Sequence, residues 1–277
     1  MRLYRVTLGW TLGWAMCLAL AAAQAQAPKA FAPVEGQAGK DAVWVPTPSD
    51  MVERMLDIAQ VTPQDFVIDL GSGDGRNVIA AARRGARALG VEYNPDMVEL
   101  SRRNAAQAGV AEKATFVQGD MFAADISEAT VMALFLLPDN LRKLTPQFAA
   151  LKPGTRIVAN TFGIDGWKPD ETVKMDDTCY AWCVALLYIV PAPVAGTWLM
   201  ANKPGKDSLV LEQEFQMLSG TFNAGSGKTP LANARLRGDW ISFSVGKTQY
   251  EGRVNGDTMQ GIVHGGGSWS ARRTAMK

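Results

Sequence analysis

Apolar and polar positions change rhythm along this chain of 277 residues. Between residues 49 and 190, short apolar runs alternate with stretches whose apolar positions recur every three or four residues. Val52, Met55, Leu56 and Ala59 would share one face of a helix over 50–60, with Ser49 or Asp50 as its N-cap. Residues 66–70 read as a buried strand, 77–84 as a helix and 88–92 as a strand. A helix over 96–108 is opened by Asn94-Pro95 and closed by Gly109. Strands at 114–118 and 129–136, a helix at 141–151, a turn at Lys152-Pro153-Gly154 and a strand at 156–162 follow, with 180–190 as a last strand. This alternation predicts an α/β fold, a mainly parallel sheet covered on both faces. After Pro191-Ala192-Pro193 the period drops to two. Strands over 208–222, 235–245, 249–254, 258–263 and 268–273, with a hairpin turn at Asn255-Gly256-Asp257, predict a separate antiparallel β domain of about 80 residues. The expected division is 44–193 for the α/β domain and 194–277 for the β domain.

The N-terminus follows neither rhythm. Arg2 and Arg5 precede an apolar run over 6–23, and Ala23-Gln24-Ala25 offers a small-x-small cleavage site, the pattern of a secretory signal peptide over 1–25. The expected location is therefore periplasmic or secreted. The alternative is an uncleaved membrane anchor formed by 6–23, which would associate the chain with a membrane. Residues 26–43, rich in Ala, Gln, Pro and Gly, read as a flexible leader. Cleavage would remove Cys17 and leave Cys179 and Cys183. If these lay on one strand their sulfurs would be about 13 Å apart, so no bridge is expected. Two cysteines also argue against zinc, and no metal is expected. The hydrophobic share of 47%, charged share of 20% and formal net charge of +1 describe a globular protein without a polybasic nucleic-acid surface.

Candidate chemistry sits where the predicted strands end. Strand 66–70 runs into Gly71-Ser72-Gly73-Asp74-Gly75-Arg76, at the place where open α/β sheets bind ligands. A dinucleotide loop needs its third glycine one residue later than Gly75. Asp69 inside the strand would repel a pyrophosphate but suits a cationic amino-acid group. Glu92, in Gly90-Val91-Glu92-Tyr93-Asn94, can accept from both ribose hydroxyls. Asp120, in Gly119-Asp120-Met121, can accept from an adenine amino group while Met121 packs on the ring. Three acids at three successive strand ends select S-adenosylmethionine as the cofactor.

These residues also carry a resemblance. The stretch from Val45-Pro46-Thr47-Pro48 to Gly166-Trp167, including Asp125-Ile126-Ser127-Glu128-Ala129-Thr130-Val131, Leu136-Leu137 and Leu151-Lys152-Pro153-Gly154-Thr155-Arg156, resembles the seven-strand, class I protein lysine methyltransferases. In particular it is similar to the broad-specificity archaeal enzyme and to the mitochondrial enzymes acting on the ATP synthase ring protein and adenine nucleotide translocase. The resemblance covers a little over half the chain and implies a Rossmann-like methyltransferase fold. It implies that Val45 and Thr47 close over the cofactor. Asp69, Gly71, Gly73 and Asp74 would hold its methionine part, Glu92 its ribose and Asp120 its adenine, with Ser72, Gly75, Tyr93, Asn94 and Met121 as further cofactor-binding residues. Where archaeal members carry Ser-His, this chain has Ala159-Asn160. Asp139 and Asn160, where predicted strands end, are the candidate catalytic polar groups, in an acceptor channel drawn from Leu136, Leu137, Pro138, Asn140, Phe162 and Trp167, of which Leu136, Leu137 and Phe162 read better as core packing.

The expected activity is N-methylation of protein lysine. The alternatives are a small-molecule methyltransferase whose β domain shapes a pocket, and an exported S-adenosylmethionine-binding protein without catalysis. Gly225-Ser226-Gly227-Lys228-Thr229 fails the spacing of a phosphate loop, because Phe222 stands where its first glycine belongs, and reads as a hairpin loop. His264 has no Cys or His neighbour and reads as a strand-surface residue. Trp198, Trp240 and Trp269 read as the core of the β domain.

Overall fold

The computed structural model describes residues 31–176, 179–201, 207–225 and 227–274. The predicted signal segment lies outside the described residues. Four helices, α1 (Ser49–Ile58), α2 (Arg76–Arg83), α3 (Pro95–Gln107) and α4 (Pro138–Ala149), accompany a first set of strands. These are β1 (Phe66–Leu70), β2 (Arg87–Glu92), β3 (Ala114–Gln118), β4 (Val131–Leu134), β5 (Arg156–Asn160), β6 (Glu171–Lys174) and β7 (Val184–Ile189). They form one seven-stranded sheet in the order β3-β2-β1-β4-β5-β7-β6, parallel except for β7, which pairs antiparallel with β5 and β6. Strand order reverses between β1 and β4, so a crevice opens beyond their carboxyl ends.

The sheet is apolar on both faces, as parallel strands must be when helices cover them. Val67, Val131, Ala133 and Val158 face α1, α2 and α3, and Ile68, Leu70, Met132 and Leu134 face α4. The α1 face is Met51, Val52, Met55 and Leu56, at helical spacing. Pro48 occupies its N-cap position without a side-chain cap, in place of the expected Ser49 or Asp50. Asn94 caps α3 through a 2.9 Å bond from the Asp96 amide, with Pro95 in the first turn. Among the described residues no helix is long and apolar enough to cross a membrane.

Eight further strands, β8 (Gly196–Met200), β9 (Ser208–Glu214), β10 (Met217–Ala224), β11 (Gly227–Arg237), β12 (Trp240–Val245), β13 (Thr248–Asn255), β14 (Thr258–Val263) and β15 (Ser268–Arg273), close into an antiparallel barrel. The strand expected over 208–222 is a hairpin, turned at Phe215, whose φ is 50°. The strand expected over 235–245 is likewise two strands, turned at Gly238-Asp239. β8, β6 and the first half of β11 were not expected as strands. Gly227 and Lys228 open β11, so no helix follows the glycine-serine segment. Trp198, Trp269, Leu236, Ile241 and Phe243 fill the barrel. Trp240 departs from the expected tryptophan core: it is 38% exposed, beneath the Arg253 guanidinium. His264 pairs with Glu251 at 3.1 Å on the surface.

The barrel is tied to the sheet. Trp167 stacks on Phe215 at 4.6 Å and meets Tyr188 edge-on at 5.7 Å. Arg235 reaches the fully buried Asp170 carboxylate at 2.6 Å, and the Ala192 amide donates to the Gly238 carbonyl at 2.8 Å. Trp167 is thus 2% exposed in this seam and not in an acceptor channel.

The segment before β7 also departs from expectation. The chain turns at Trp182, whose φ is 60°, so the Cα atoms of Cys179 and Cys183 lie 5.8 Å apart and the two form a disulfide. The extended conformation that argued against a bridge is absent, and the separation is within bridging range.

Candidate active site

β1 delivers Asp69 and then releases the chain into the glycine loop. Gly71, Gly73 and Gly75 all have positive φ, at 71°, 55° and 84°. At Gly75 a Cβ would strike the Phe116 ring at 2.7 Å, and at Gly73 the Trp44 indole at 2.7 Å. The loop therefore needs glycine for both conformation and space. The Ser72 hydroxyl is buried with no partner, packed beneath the loop against Gly90.

Asp69 is 3% exposed. It accepts from the Asn77 amide at 3.1 Å, and no cationic side chain among the described residues pairs with it. Burial, with added repulsion from Glu92 and Asp74, pushes its pKa well above the ordinary carboxylate range, against the opposing Asn77 hydrogen bond. Such a carboxyl is satisfied either by keeping its proton or by meeting a cation. Asp74 is different. It grips Arg76 through two bonds, at 2.9 and 2.6 Å, and Arg76 in turn donates to the Thr47 carbonyl at 2.6 Å. Its carboxylate, which also lines the cleft, fixes the loop to the segment before α1. Thr47 is buried, and Val45 lines the cleft beside it.

At the end of β2, one Glu92 oxygen accepts from the Gly73 amide and the other from the Asn94 amide, both at 2.9 Å. The carboxylate is thereby oriented, with lone pairs left for hydroxyl donors. The Asn94 side chain is occupied as the α3 cap, and Tyr93 is 52% exposed. After β3, one Asp120 oxygen accepts from the Phe122 amide at 2.9 Å and the other from Lys40 Nζ at 2.5 Å. The Lys40 hydrogen bond lowers the Asp120 pKa, and Lys40 is raised in turn. Met121 lines the same cleft.

Lys40 was not expected here. Residues 34–43, expected as part of a flexible leader over 26–43, instead fold with Trp44 over the Glu92 and Asp120 side of the cleft. The Trp44 amide donates to the Gln37 carbonyl and the Gly36 amide to the Trp44 carbonyl, both at 2.9 Å, and Lys40 lies 5.0 Å over the Tyr93 ring. Gly36 and Gly39, bracketing a tight turn ahead of Trp44, were the available signal.

The cleft has two parts, one beside Glu92 and Asp120 and one beside Asp69 and Ser72. They share Trp44, Val45, Gly71 and Phe135. Phe135 falls just past β4, which stops at Leu134 where 129–136 was expected. Asn160 ends β5, fully buried. Its Oδ1 accepts from the Thr161 hydroxyl at 3.0 Å and its Nδ2 has no partner. Asp139 is not brought into the site. Its side chain is 75% exposed and pairs with Arg142, which also holds Asp165 at 3.1 Å. No cluster of three or more metal-binding side chains occurs among the described residues.

Known proteins resemble this chain. Residues 69–171 match the ANTKMT methyltransferase domain. A protein-lysine N-methyltransferase of Saccharolobus islandicus is 45% identical over 137 residues, which is 48% of this chain and 85% of that protein. The chain belongs to its methyltransferase family. An adenine nucleotide translocase lysine N-methyltransferase of Mus musculus is 34% identical over 47% of this methyltransferase, which spans only 57% of the mouse protein. A crystal structure titled as an RNA methyltransferase from Salinibacter ruber in complex with S-adenosyl-L-homocysteine superposes with a TM-score of 0.51. It is 47% identical and covers 54% of this methyltransferase and 96% of its own chain. Each of the three covers about half of this chain.

Proposed function

We propose that this methyltransferase transfers a methyl group from S-adenosylmethionine to the ε-amino group of lysine in a protein. Similarity to the archaeal protein-lysine N-methyltransferase, at 45% identity over 85% of that protein, carries the choice of acceptor. The buried Asp69, without a cation and beneath the glycine loop, supports the cofactor. The residues fit it: Asp69 for the α-ammonium group and Glu92 for the ribose hydroxyls. Asp120 would meet adenine once Lys40 moves off it.

S-adenosylmethionine supplies an electrophilic methyl on a sulfonium, which needs no oxyanion stabilisation. The chain's own task is alignment and exclusion of water, a proximity effect. Phe135, just past β4, lines both parts of the cleft, where an entering amine would be steered, and Asn160 lies buried at the end of the neighbouring β5. Exclusion of water at the point of transfer disfavours the charged amine and so helps the acceptor give its proton to solvent. With the family histidine position occupied by Asn160, the side chain supplies hydrogen bonds and no titrating base.

The reading includes export, or tethering by 6–23. The Cys179–Cys183 bridge supports an oxidising compartment, since cytosolic thiols are kept reduced. Intact-mass analysis of the purified protein should show loss of residues 1–25; a full-length mass in a soluble fraction would count against export. Labelled S-adenosylmethionine incubated with cell-envelope protein should label lysine. Label found only in RNA or in small metabolites would overturn the acceptor assignment.

A further inference from the structure

Beyond the cofactor cleft, three aromatic rings from three separate elements meet at the carboxyl edge of the sheet. Phe135 follows β4, Phe162 follows β5, and Trp182 sits in the turn before β7. Phe135 and Phe162 lie nearly parallel, with ring centroids 6.2 Å apart and 12° between planes. Trp182 tilts against both, at 5.3 and 5.8 Å. All three are half-buried. Phe135 also lines both parts of the cleft, which makes the cluster continuous with the place where those parts join.

The backbone is committed to this arrangement. Thr161 and Trp182 both take positive φ, 63° and 60°, a conformation that non-glycine residues rarely adopt. The Thr161 amide donates to the Val184 carbonyl at 2.7 Å, locking the end of β5 to the start of β7. The Cys179–Cys183 disulfide closes the turn that carries Trp182. A large aromatic held at the surface by a left-handed turn and a covalent staple contributes little to the core, and its exposed face is suited to a cation.

We propose that Phe135, Phe162 and Trp182 form the receptor for the acceptor's alkylammonium side chain, with Trp182 held in place by the Cys179–Cys183 staple. Aliphatic carbons of the side chain would lie along the rings; the ammonium would be held by cation–π attraction on arrival, lose its proton to solvent as its nitrogen enters the cleft, and be held again as methylated ammonium after transfer. Trp182 and Phe162 thereby become acceptor-binding residues, and the two cysteines positioning residues. The inference rests on the lysine reading above.

The test uses the mature protein saturated with S-adenosylhomocysteine. Calorimetric titration compares Nα-acetyl-trimethyllysine methylamide with its uncharged analogue, in which carbon replaces the quaternary nitrogen. The charged probe should bind about 5- to 30-fold more tightly, as ~1–2 kcal/mol of cation–π attraction implies. Trp182→Leu and Phe162→Leu should each remove most of that preference and raise KM for the protein acceptor while kcat changes less. Their stabilisation by S-adenosylhomocysteine should stay at the wild-type level, which also certifies folding. The Cys179→Ser, Cys183→Ser double variant should behave like Trp182→Leu. Equal binding of the two probes, or an unchanged preference in Trp182→Leu, overturns the receptor. An unchanged preference in the double cysteine variant overturns the staple. If the receptor fails while label still appears on lysine, the lysine reading stands alone. If no label reaches lysine and the charged probe does not bind, both fall.

Discussion

Replacing Asp69 by Asn should leave the protein folded, weaken S-adenosylhomocysteine about 30- to 150-fold, and abolish the pH dependence of its binding. The carboxyl is buried against one amide donor at 3.1 Å, and burial holds its pKa well above the usual range. An acid whose folded pKa is raised keeps its proton longer in the folded chain than in the unfolded one. Stability therefore falls as pH rises from the unfolded value, about 4, toward the raised folded value. The unliganded wild type should show that fall; the Asn variant should not. A bound α-ammonium reverses the preference. It favours the carboxylate, so below the raised value binding expels a proton, and affinity climbs by up to about tenfold per pH unit. Asn keeps a carbonyl acceptor but loses the charge. The loss is about 2–3 kcal/mol for a charge-assisted hydrogen bond, hence the expected weakening at about 1.4 kcal/mol per decade. With ligand at about 100 times the wild-type Kd, wild type gains about 2.7 kcal/mol, or about 5–11 °C in Tm. A hundredfold weaker variant gains about 0.4 kcal/mol, or about 1–2 °C. Differential scanning fluorimetry across pH, with and without ligand, reads both quantities. A wild-type shift retained in Asp69→Asn, or a ligand shift flat in pH below the raised value, refutes an ammonium at Asp69.

Three further outcomes are expected. Glu92→Ala strips the acceptor from the Gly73 and Asn94 amides and should lose the ligand-induced Tm shift, with an intrinsic destabilisation of about 1–3 kcal/mol in urea titration. Lys40→Met removes the cation paired with Asp120 and should tighten S-adenosylhomocysteine binding at low ionic strength, with the advantage shrinking as salt rises; weaker binding would mean that Lys40 itself contacts the ligand. Trp167→Ala empties the seam against Phe215 and Tyr188 and should cost about 3–5 kcal/mol while the Kd for S-adenosylhomocysteine in the surviving folded protein stays near wild type.

The sheet was legible in the chain because its strands are buried on both faces and separated by helices with clear caps, such as Asn94-Pro95. The errors fall where the signal is physically weak. β6, Glu171–Lys174, is an exposed, polar edge strand, so it has neither an apolar run nor a clean alternation to show. Phe215-Gln216 turns a hairpin without glycine, asparagine or aspartate, because Trp167 and the Lys168 carbonyl anchor those two side chains from another element. Local propensity loses there to tertiary contact.

The site divides along the same line. Asp69, the three glycines and Glu92 are local features: each sits at the carboxyl end of a strand that the pattern had already located. Asp139 misled because an acid in the first turn of a helix near the cleft looks the same in sequence whether it faces the ligand or an Arg142 one turn on. Lys40 and Trp182 were hidden for a different reason. Both belong to segments whose composition reads as loop, and both gain their meaning from partners 80 and 47 residues away, Asp120 and Phe135. The cysteines could have pointed to Trp182. A four-residue separation is incompatible with a bridge only where the backbone between them is extended; a single left-handed residue in the turn brings the Cα atoms to 5.8 Å. Two cysteines flanking an aromatic residue just ahead of the antiparallel strand thus carry positional information. They make the turn, and not the strand, the element that fixes local geometry, and they set Trp182 beside the ring that joins the two halves of the cleft.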